Sequence, residues 1–331
     1  MNNSPNTFKA YAAIFTVYIV WGTTLGAMRI GVETIPTALL PCLRFTIAGL
    51  ILLAFCLLRG EKIPNRQEIR THFIVGALLF AFSNALAAWT VQHMSTGLSG
   101  LLVATTPFWM LWLSSRIPPR ERITPQAMLG IGIGFLGMFI LLLPQLSNIG
   151  NTSVLFWASV IVSVVTTFSW SVGSIYARKH PTPSSSLLMS IGLQNLFAGL
   201  LLVPFCLATI DNWQAIHPSA ASLVALGHLI VLGTIAATSC YLYTLKTMSI
   251  SVTSTFAYVT PVITVLFGWL FLHESLTLPT IIGSAVILSG VMVVQWFGQN
   301  RPLPHPKAEP VIEEIPACGE PAPALREASC R

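Results

Sequence analysis

Residues 253–277, TSTFAYVTPVITVLFGWLFLHESLT, read as an apolar helix carrying a proline, closed by the short polar break His273-Glu274-Ser275. A second apolar run, LPTIIGSAVILSGVMVV, begins at residue 278. The pattern occurs twice. In the first half Thr106-Pro107 opens PFWMLWLSSR, and Arg120-Glu121-Arg122-Ile123-Thr124 leads into PQAMLGIGIGFLGMFILLLP. The pairs Pro107/Pro261, Glu121/Glu274, Thr124/Thr277, Gly130/Gly283 and Gly137/Gly290 keep a nearly constant separation. Self-similarity of this kind is read as a duplicated architecture before any fold is considered.

Of 331 residues, 54% are hydrophobic and only 8% charged, with a mean hydropathy of +0.74. A soluble domain carries roughly a quarter charged residues. This chain cannot cover a water-exposed surface, so its solvent is a lipid bilayer. The net charge of +6 does not indicate nucleic acid, because the basic residues sit in short gaps between apolar runs, where they orient a membrane protein. The six cysteines show neither metal-ligand nor disulfide spacing. The opening MNNSPNTFK precedes an apolar run long enough to span, so no cleavable signal peptide is expected.

A span needs about 20 mostly apolar residues. Ten are predicted, at 10–29, 36–58, 71–92, 96–115, 125–144, 153–177, 186–209, 221–245, 250–272 and 277–297. The last segment, 298–331, is rich in Pro, Ala and Glu and reads as a disordered tail. With the N-terminus in the cytoplasm, the inward gaps carry Arg59, Lys62, Arg66 and Arg70, then Arg116, Arg120 and Arg122, then Arg178 and Lys179, with Lys246 ending the eighth span. The outward gaps carry almost nothing basic, Arg29 excepted, which predicts both termini and the tail inside.

The halves match elsewhere too. Trp21 and Arg29 correspond to Trp170 and Arg178, and Leu43-Arg44…Ala48-Gly49-Leu50 to Leu193-Gln194…Ala198-Gly199-Leu200. Five helices per copy is an odd number, so the second copy enters the membrane the other way round. The predicted organisation is an all-α polytopic membrane protein of two inverted five-helix repeats, 1–149 and 150–297, with a central site near the midplane.

These residues carry a resemblance. WGTTLGAMRIGVETIP of the first span, LRFTIAGLILL of the second and the two Thr-Pro helices ending in E-x-[IL]-T resemble the drug/metabolite transporter superfamily, and within it the ten-helix EamA family. The resemblance covers roughly residues 10–297. It implies two inverted repeats around a central cavity, a multi-pass inner-membrane location, and export of amino acids or other small metabolites or drugs by alternating access. It also implies a small-molecule substrate and no enzymatic activity. Arg120-Glu121 and His273-Glu274 depart from the Gly-Glu usual in the family, which bears on the turn there.

Candidate site residues follow from depth and polarity. Arg44 is the clearest charge at depth and has two readings: a fork for a substrate carboxylate, or a structural lock between repeats, which the resemblance favours. Trp21, Asn84, Trp170, Gln194, Asn195, Thr238, Tyr241 and Tyr258 are candidates for the cavity lining. Pro107 and Pro261 are expected to kink equivalent helices near their middles, freeing the carbonyls of Val103 and Ala257, and to act in gating. No carboxylate falls well inside a span, and His228 reads as the only deep histidine, so a coupling proton stays open. No metal site, cofactor or nucleic-acid partner is expected; the partners are the bilayer and a small solute. The alternatives are a nucleotide-sugar or sugar-phosphate carrier, which would need several bases at depth, an intramembrane enzyme, which would need a clustered acid, base or nucleophile, and a channel, which would need a filter.

Overall fold

A computed structural model describes residues 7–90, 102–103, 105–118, 123–146, 154–271 and 277–298. Regular structure among them is helical throughout, without a strand. In chain order the helices are α1 (Thr7–Gly31), α2 (Leu39–Leu58), α3 (66–90), α4 (Thr106–Arg116), α5 (Pro125–Leu146), α6 (Val154–Lys179), α7 (Leu187–Thr209), α8 (Ala220–Thr247), α9 (Ile250–Thr253), α10 (Phe256–Phe271) and α11 (Leu278–Gly298). Six of them, α1, α2, α3, α6, α7 and α8, are long and apolar enough to cross a membrane. Shorter apolar stretches are Pro125–Ile140, Ile250–Ile263 and Ile281–Val294. The helix ends fall within about five residues of the expected spans, except that the span 250–272 is divided at 254–255 into α9 and α10 and that α4 begins only at Thr106 of the span 96–115. The tail beyond residue 298, the break at 273–275, the turn at 120–122 and the first part of the expected span 96–115 lie outside the described residues.

The helices are inside out relative to a soluble protein. On α2 the buried residues Leu40, Cys42, Arg44, Phe45, Ala48, Gly49, Leu52 and Cys56 recur at helical spacing, while Leu50, Ile51, Phe55 and Leu58 are exposed. Exposed apolar side chains on one face and small or polar ones on the other are what a lipid solvent selects. On α6 the buried face is hydroxylated: Ser159, Ser163, Thr167, Ser171 and Ser174. Polar caps start several helices where they leave the apolar region. Asn65 accepts from the Glu68 amide at 2.9 Å, Ser186 from Met189 at 3.0 Å and Ser219 from Ser222 at 3.1 Å.

Two helix pairs dominate the packing: α5 with α11, and α2 with α7. Both depend on glycine. A Cβ at Gly130 would lie 2.8 Å from the Gly290 carbonyl oxygen, and one at Gly137 the same distance from that of Gly283. On the other pair, a Cβ at Gly49 would meet the Leu196 amide nitrogen at 2.5 Å, and one at Gly199 the Thr46 hydroxyl at 2.2 Å. Only a residue without a side chain lets the backbones approach so closely.

Hydrogen bonds between loops define two ends of the bundle. At one end Thr34, after α1, donates to Ser222 at 2.8 Å and accepts from the Ser219 amide at 3.0 Å. At the other, Glu68 accepts from the Ser184 amide at 3.1 Å and from the Ser185 hydroxyl at 2.6 Å. Helix α2 runs from the first end to the second, and α7 from the second to the first, so this pair is antiparallel.

Helices α3 and α8 each contain a π-helical segment, Gly76–Phe82 and Leu229–Ala236. The wider i→i+5 winding leaves carbonyls open to other partners, and such segments recur at functional sites. Here Ser169 of α6 donates to the Leu78 carbonyl at 2.8 Å, and the Trp21 indole of α1 to the Gly233 carbonyl at 3.1 Å.

Candidate functional site

Trp21, Trp170 and Tyr241 meet at the centre of the bundle, together with Phe256. The two tryptophans stand edge to face at 5.5 Å, Trp21 lies 5.1 Å from Tyr241 and 4.9 Å from Phe256, and Trp170 lies 5.7 Å from Tyr241. Trp21 meets Trp170 and Phe256 edge to face and Tyr241 lies tilted against both tryptophans, at separations where aromatic rings attract by about 0.5–1.5 kcal/mol a pair beyond their burial. The polar atoms of the cluster all have partners, Trp21 Nε1 in the Gly233 carbonyl. Trp170 Nε1 donates to the Tyr241 hydroxyl at 3.3 Å, and that hydroxyl bonds Ser174 at 2.7 Å. Tyr18, fully within the core, bonds Thr255 at 2.5 Å just beside Phe256.

Arg44 is buried beside the π-helical segment of α8. Its Nε donates to Thr234 Oγ1 at 2.6 Å, and that hydroxyl donates on to the Leu229 carbonyl at 2.9 Å. The contact joins the first half of the chain to the second. No carboxylate among the described residues pairs with the guanidinium, whose neighbours are the Phe45 ring and Gly233. Nearby, the Thr23 hydroxyl donates to the Val20 carbonyl at 2.8 Å, so its contact with His228 Nε2 at 3.2 Å is an N–H donated by the imidazole.

Gln194, the counterpart of Arg44 in the sequence, lies toward the opposite end of the bundle and heads a longer chain of polar groups. Its Nε2 lies 3.5 Å from His72 Nδ1, His72 Nε2 lies 3.1 Å from Ser185 Oγ, and Ser185 donates to Glu68. His72 is fully buried and Glu68 is 5% exposed, whereas His228 is half-buried. Glu68, in the first turn of α3, lies outside the expected span 71–92 and leaves the expectation of no carboxylate well inside a span untouched, whereas His72, at the start of that span, is a buried histidine beside the expected His228. The helix begins at residue 66, a turn before the expected span, with Asn65 as its cap. Gln194 Oε1 and Asn195 Oδ1 are buried without a partner among the described residues, although Asn195 Nδ2 donates to the Ile191 carbonyl at 2.8 Å.

Tyr258 is buried away from the cluster, its ring against Gly134 of α5, where a Cβ would come within 3.2 Å. Asn84 is half-buried and Thr238 buried, and neither makes a side-chain hydrogen bond among the described residues. Pro107 lies in the first turn of α4 and not in mid-helix. An amide there has no intrahelical partner in any case, so the proline removes nothing from α4. The Val103 carbonyl, expected to be free, accepts the Thr106 hydroxyl at 2.6 Å. Pro261 is interior to α10, in its second turn. Phe256, Tyr18, Ser174, His72 and Glu68 were not among the sequence candidates. Only Ser174, four residues after Trp170 and so on the same helix face, carried a local signal.

Among the described residues no three His, Cys, Asp or Glu side chains gather closely enough to hold a metal ion. The EamA-like transporter family profile matches the chain twice, over residues 8–143 and 155–296. The chain is 30% identical to the Escherichia coli (strain K12) protein "Uncharacterized inner membrane transporter YedA", over 92% of this chain and 96% of that one. It is 27% identical to an "Uncharacterized transporter" of Archaeoglobus fulgidus (86% and 98%), and 24% identical to "WAT1-related protein At3g02690, chloroplastic" of Arabidopsis thaliana (89% and 72%). A solved crystal structure at 20% identity superposes with a TM-score of 0.72 over 87% of this chain and 96% of that one, which shows a common fold.

Proposed function

Because the chain belongs to the EamA-like transporter family, we propose that it carries a small solute across the inner membrane by alternating access between two inverted five-helix repeats, 1–149 and 150–297. The observation that supports this most is the reciprocity of the contacts. Gly130 and Gly137 are the sequence counterparts of Gly283 and Gly290, and Gly130 packs on Gly290 while Gly137 packs on Gly283. Gly49 and Gly199 are counterparts, and each packs one turn from the other on antiparallel helices. Trp21 packs on its own counterpart, Trp170. Position i touching j while the copy of j touches the copy of i is the signature of a two-fold axis. An axis that reverses α2 into α7 lies in the membrane plane, as inverted-repeat carriers require.

On this reading the cluster of Trp21, Trp170, Tyr241 and Phe256 closes the centre of the pathway. Arg44 stands toward the outer end and Gln194 with His72 toward the inner end. The π-helical segments of α3 and α8 are equivalent hinges, since their looser winding yields before the flanking α-helix does. Both termini and the tail 298–331 are cytoplasmic, as the basic residues indicate. Asn84, Asn195, Thr238 and Tyr258 remain proposed lining residues, Pro261 a proposed hinge, and a proton the proposed coupling ion. The solutes are amino acids or other small metabolites or drugs, moved outward. Everted vesicles containing the protein should accumulate members of such a panel, and Trp170→Ala should abolish accumulation without loss of protein. Vesicles that accumulate no solute above protein-free controls would refute the carrier.

A further inference from the structure

Resting on that carrier reading, we propose that Glu68 is a proton-binding site that latches the inner end of the bundle shut, and that the equivalent latch at the outer end, built on Ser222, is one on which protons do not act. The two latches are copies of one arrangement. Asn65 caps α3 and Ser219 caps α8, and Glu68 and Ser222 are the residues three places on, whose amides those caps bind. Each then reaches across to a connection in the other half of the chain. Glu68 accepts from the Ser184 amide at 3.1 Å and the Ser185 hydroxyl at 2.6 Å, in the α6–α7 connection. Ser222 accepts from the Thr34 hydroxyl at 2.8 Å, in the α1–α2 connection. Thr34 and Ser184 each stand ten residues before a member of the matched pair Arg44 and Gln194.

The latches differ in charge. Ser222 donates its own proton to the Ile30 carbonyl at 2.9 Å, and the Thr34 hydroxyl accepts from the Ser219 amide at 3.0 Å, so the outer latch runs between neutral groups. Glu68 is buried in the first turn of α3, each of its oxygens facing a donor. Ionised, it makes charge-assisted bonds, which are about twice as strong as neutral ones, and the helix N-terminus favours its charge. A proton undoes this. The Ser184 amide cannot reverse its bond. Ser185 gives its proton to Glu68, so its contact with His72 Nε2 at 3.1 Å is an N–H donated by the imidazole. A proton on either oxygen of Glu68 therefore faces a donor, and one bond of the latch is lost.

With the inner end open, water replaces these donors and accepts from a protonated carboxyl as readily as it donates to an ionised one. The open form binds the proton more tightly, so the latch holds above the range of the carboxyl and fails as pH falls through it. The other titratable and charged groups around Glu68 are His72 on its own helix, Arg178 and His180 at the end of α6, Lys246 at the end of α8, and Cys56 and Glu61 where α2 ends. The residue that α7 presents there is Gln194. Arg178 donates to the carbonyls of Leu245 and Met248. An imidazolium at His72 would strengthen the latch, the opposite of a proton on Glu68, so the sign of the response separates the two.

Pulsed dipolar distances between spin labels on non-canonical residues, in the full-length protein in lipid nanodiscs, test this. A pair at the exposed positions Lys62 and His180 spans the inner end, and a pair at Glu33 and Gln214 the outer. Lowering the pH from about 8 to about 4, into the ordinary carboxyl range, should reversibly add a longer component to the inner pair and leave the outer pair unchanged. A carboxyl that binds its proton about tenfold more tightly in the open form raises the ratio of open to closed by up to about tenfold. Glu68→Gln puts an amide donor where the proton would sit, and should show the longer component at the higher pH with no further widening. Ser185→Ala, which removes one donor and keeps the charge, should show part of it there. His72→Gln should keep the acid response, and Ser222→Ala should lengthen the outer pair equally at both pH values. An inner pair that ignores pH, both pairs widening together, or an acid widening that survives Glu68→Gln overturns the assignment. If vesicles accumulate solute while the inner pair ignores acid, the latch is wrong and the carrier stands. If the inner pair responds as expected and no solute moves, the carrier is wrong and the proton site stands.

Discussion

At the scale of single residues, Arg44 is the side chain whose role the structure narrows most. A guanidinium at depth is costly, and here it is joined to a neutral hydroxyl of the other half of the chain with no carboxylate paired to it among the described residues. If Arg44 serves as a lock between the halves, the contact that does it is the one to Thr234. Arg44→Lys loses the planar fork, and Thr234→Val loses the acceptor. Each should lower the unfolding midpoint in detergent, by the equivalent of about 1–3 kcal/mol, and the double variant should cost little more than either alone. Additive costs would separate Arg44 from Thr234 and return it to carboxylate recognition. Tyr241 has a second kind of role, since its ring packs on both tryptophans and its hydroxyl serves Ser174 and Trp170. Tyr241→Phe keeps the ring and strands the Trp170 indole N–H. A loss of about 1–3 kcal/mol is expected, against about 3–5 for Tyr241→Ala, which also opens a cavity.

At the scale of the helices, two glycines separated by one residue on α5 make opposite predictions. A Cβ on Gly130 meets the backbone of α11, whereas one on Gly132 meets nothing within 4 Å. Gly132→Ala should raise the melting temperature, as the gain of about 0.5–1 kcal/mol for Ala over Gly within a helix implies. Gly130→Ala should lower it, because the helices must separate. Equal effects at the two positions would mean that α5 and α11 do not pack as described. The prolines divide in the same way. Pro107→Ala, in a first turn, should change neither stability nor transport rate. Pro261→Ala restores an amide to the interior of α10, stiffens it and should slow transport at normal abundance. A slowing at both positions would restore the symmetric gating role expected from the sequence.

At the scale of the whole molecule, the bundle has two ends, and the chain alternates between them. Single cysteines replacing Thr34 and Asn212 should be labelled from one side of sealed vesicles, and those replacing Asn65 and His180 from the other. The first pair lies with the α1–α2 and α7–α8 connections, the second with the α2–α3 and α6–α7 connections. Positive-inside bias predicts that the second pair is the cytoplasmic one. The sidedness of each position decides the matter, whatever the extent of labelling. Labelling of all four from one side would overturn both the topology and the inverted repeat.

Most of the architecture was legible in the sequence because the solvent is uniform. Lipid demands long apolar stretches whatever the partner helix, so runs such as 36–58 and 186–209 appear directly as α2 and α7. Duplication likewise leaves its record in spacing, as in Gly130/Gly283 and Gly137/Gly290. What spacing cannot carry is which member of one pair meets which member of the other. Only packing decides that Gly130 faces Gly290. The same holds for the site. Trp21, Trp170 and Tyr241 were visible as polar-tipped aromatics within spans, but Phe256 looked like any other apolar residue until three helices converged on it. His72 and Glu68 sat at the edge of an apolar window, and their partners Ser184 and Ser185 lie more than a hundred residues away in a loop. Local composition determines where a helix crosses lipid; the partners of a buried polar group are set by contacts distant in sequence, and only the tertiary fold brings those together.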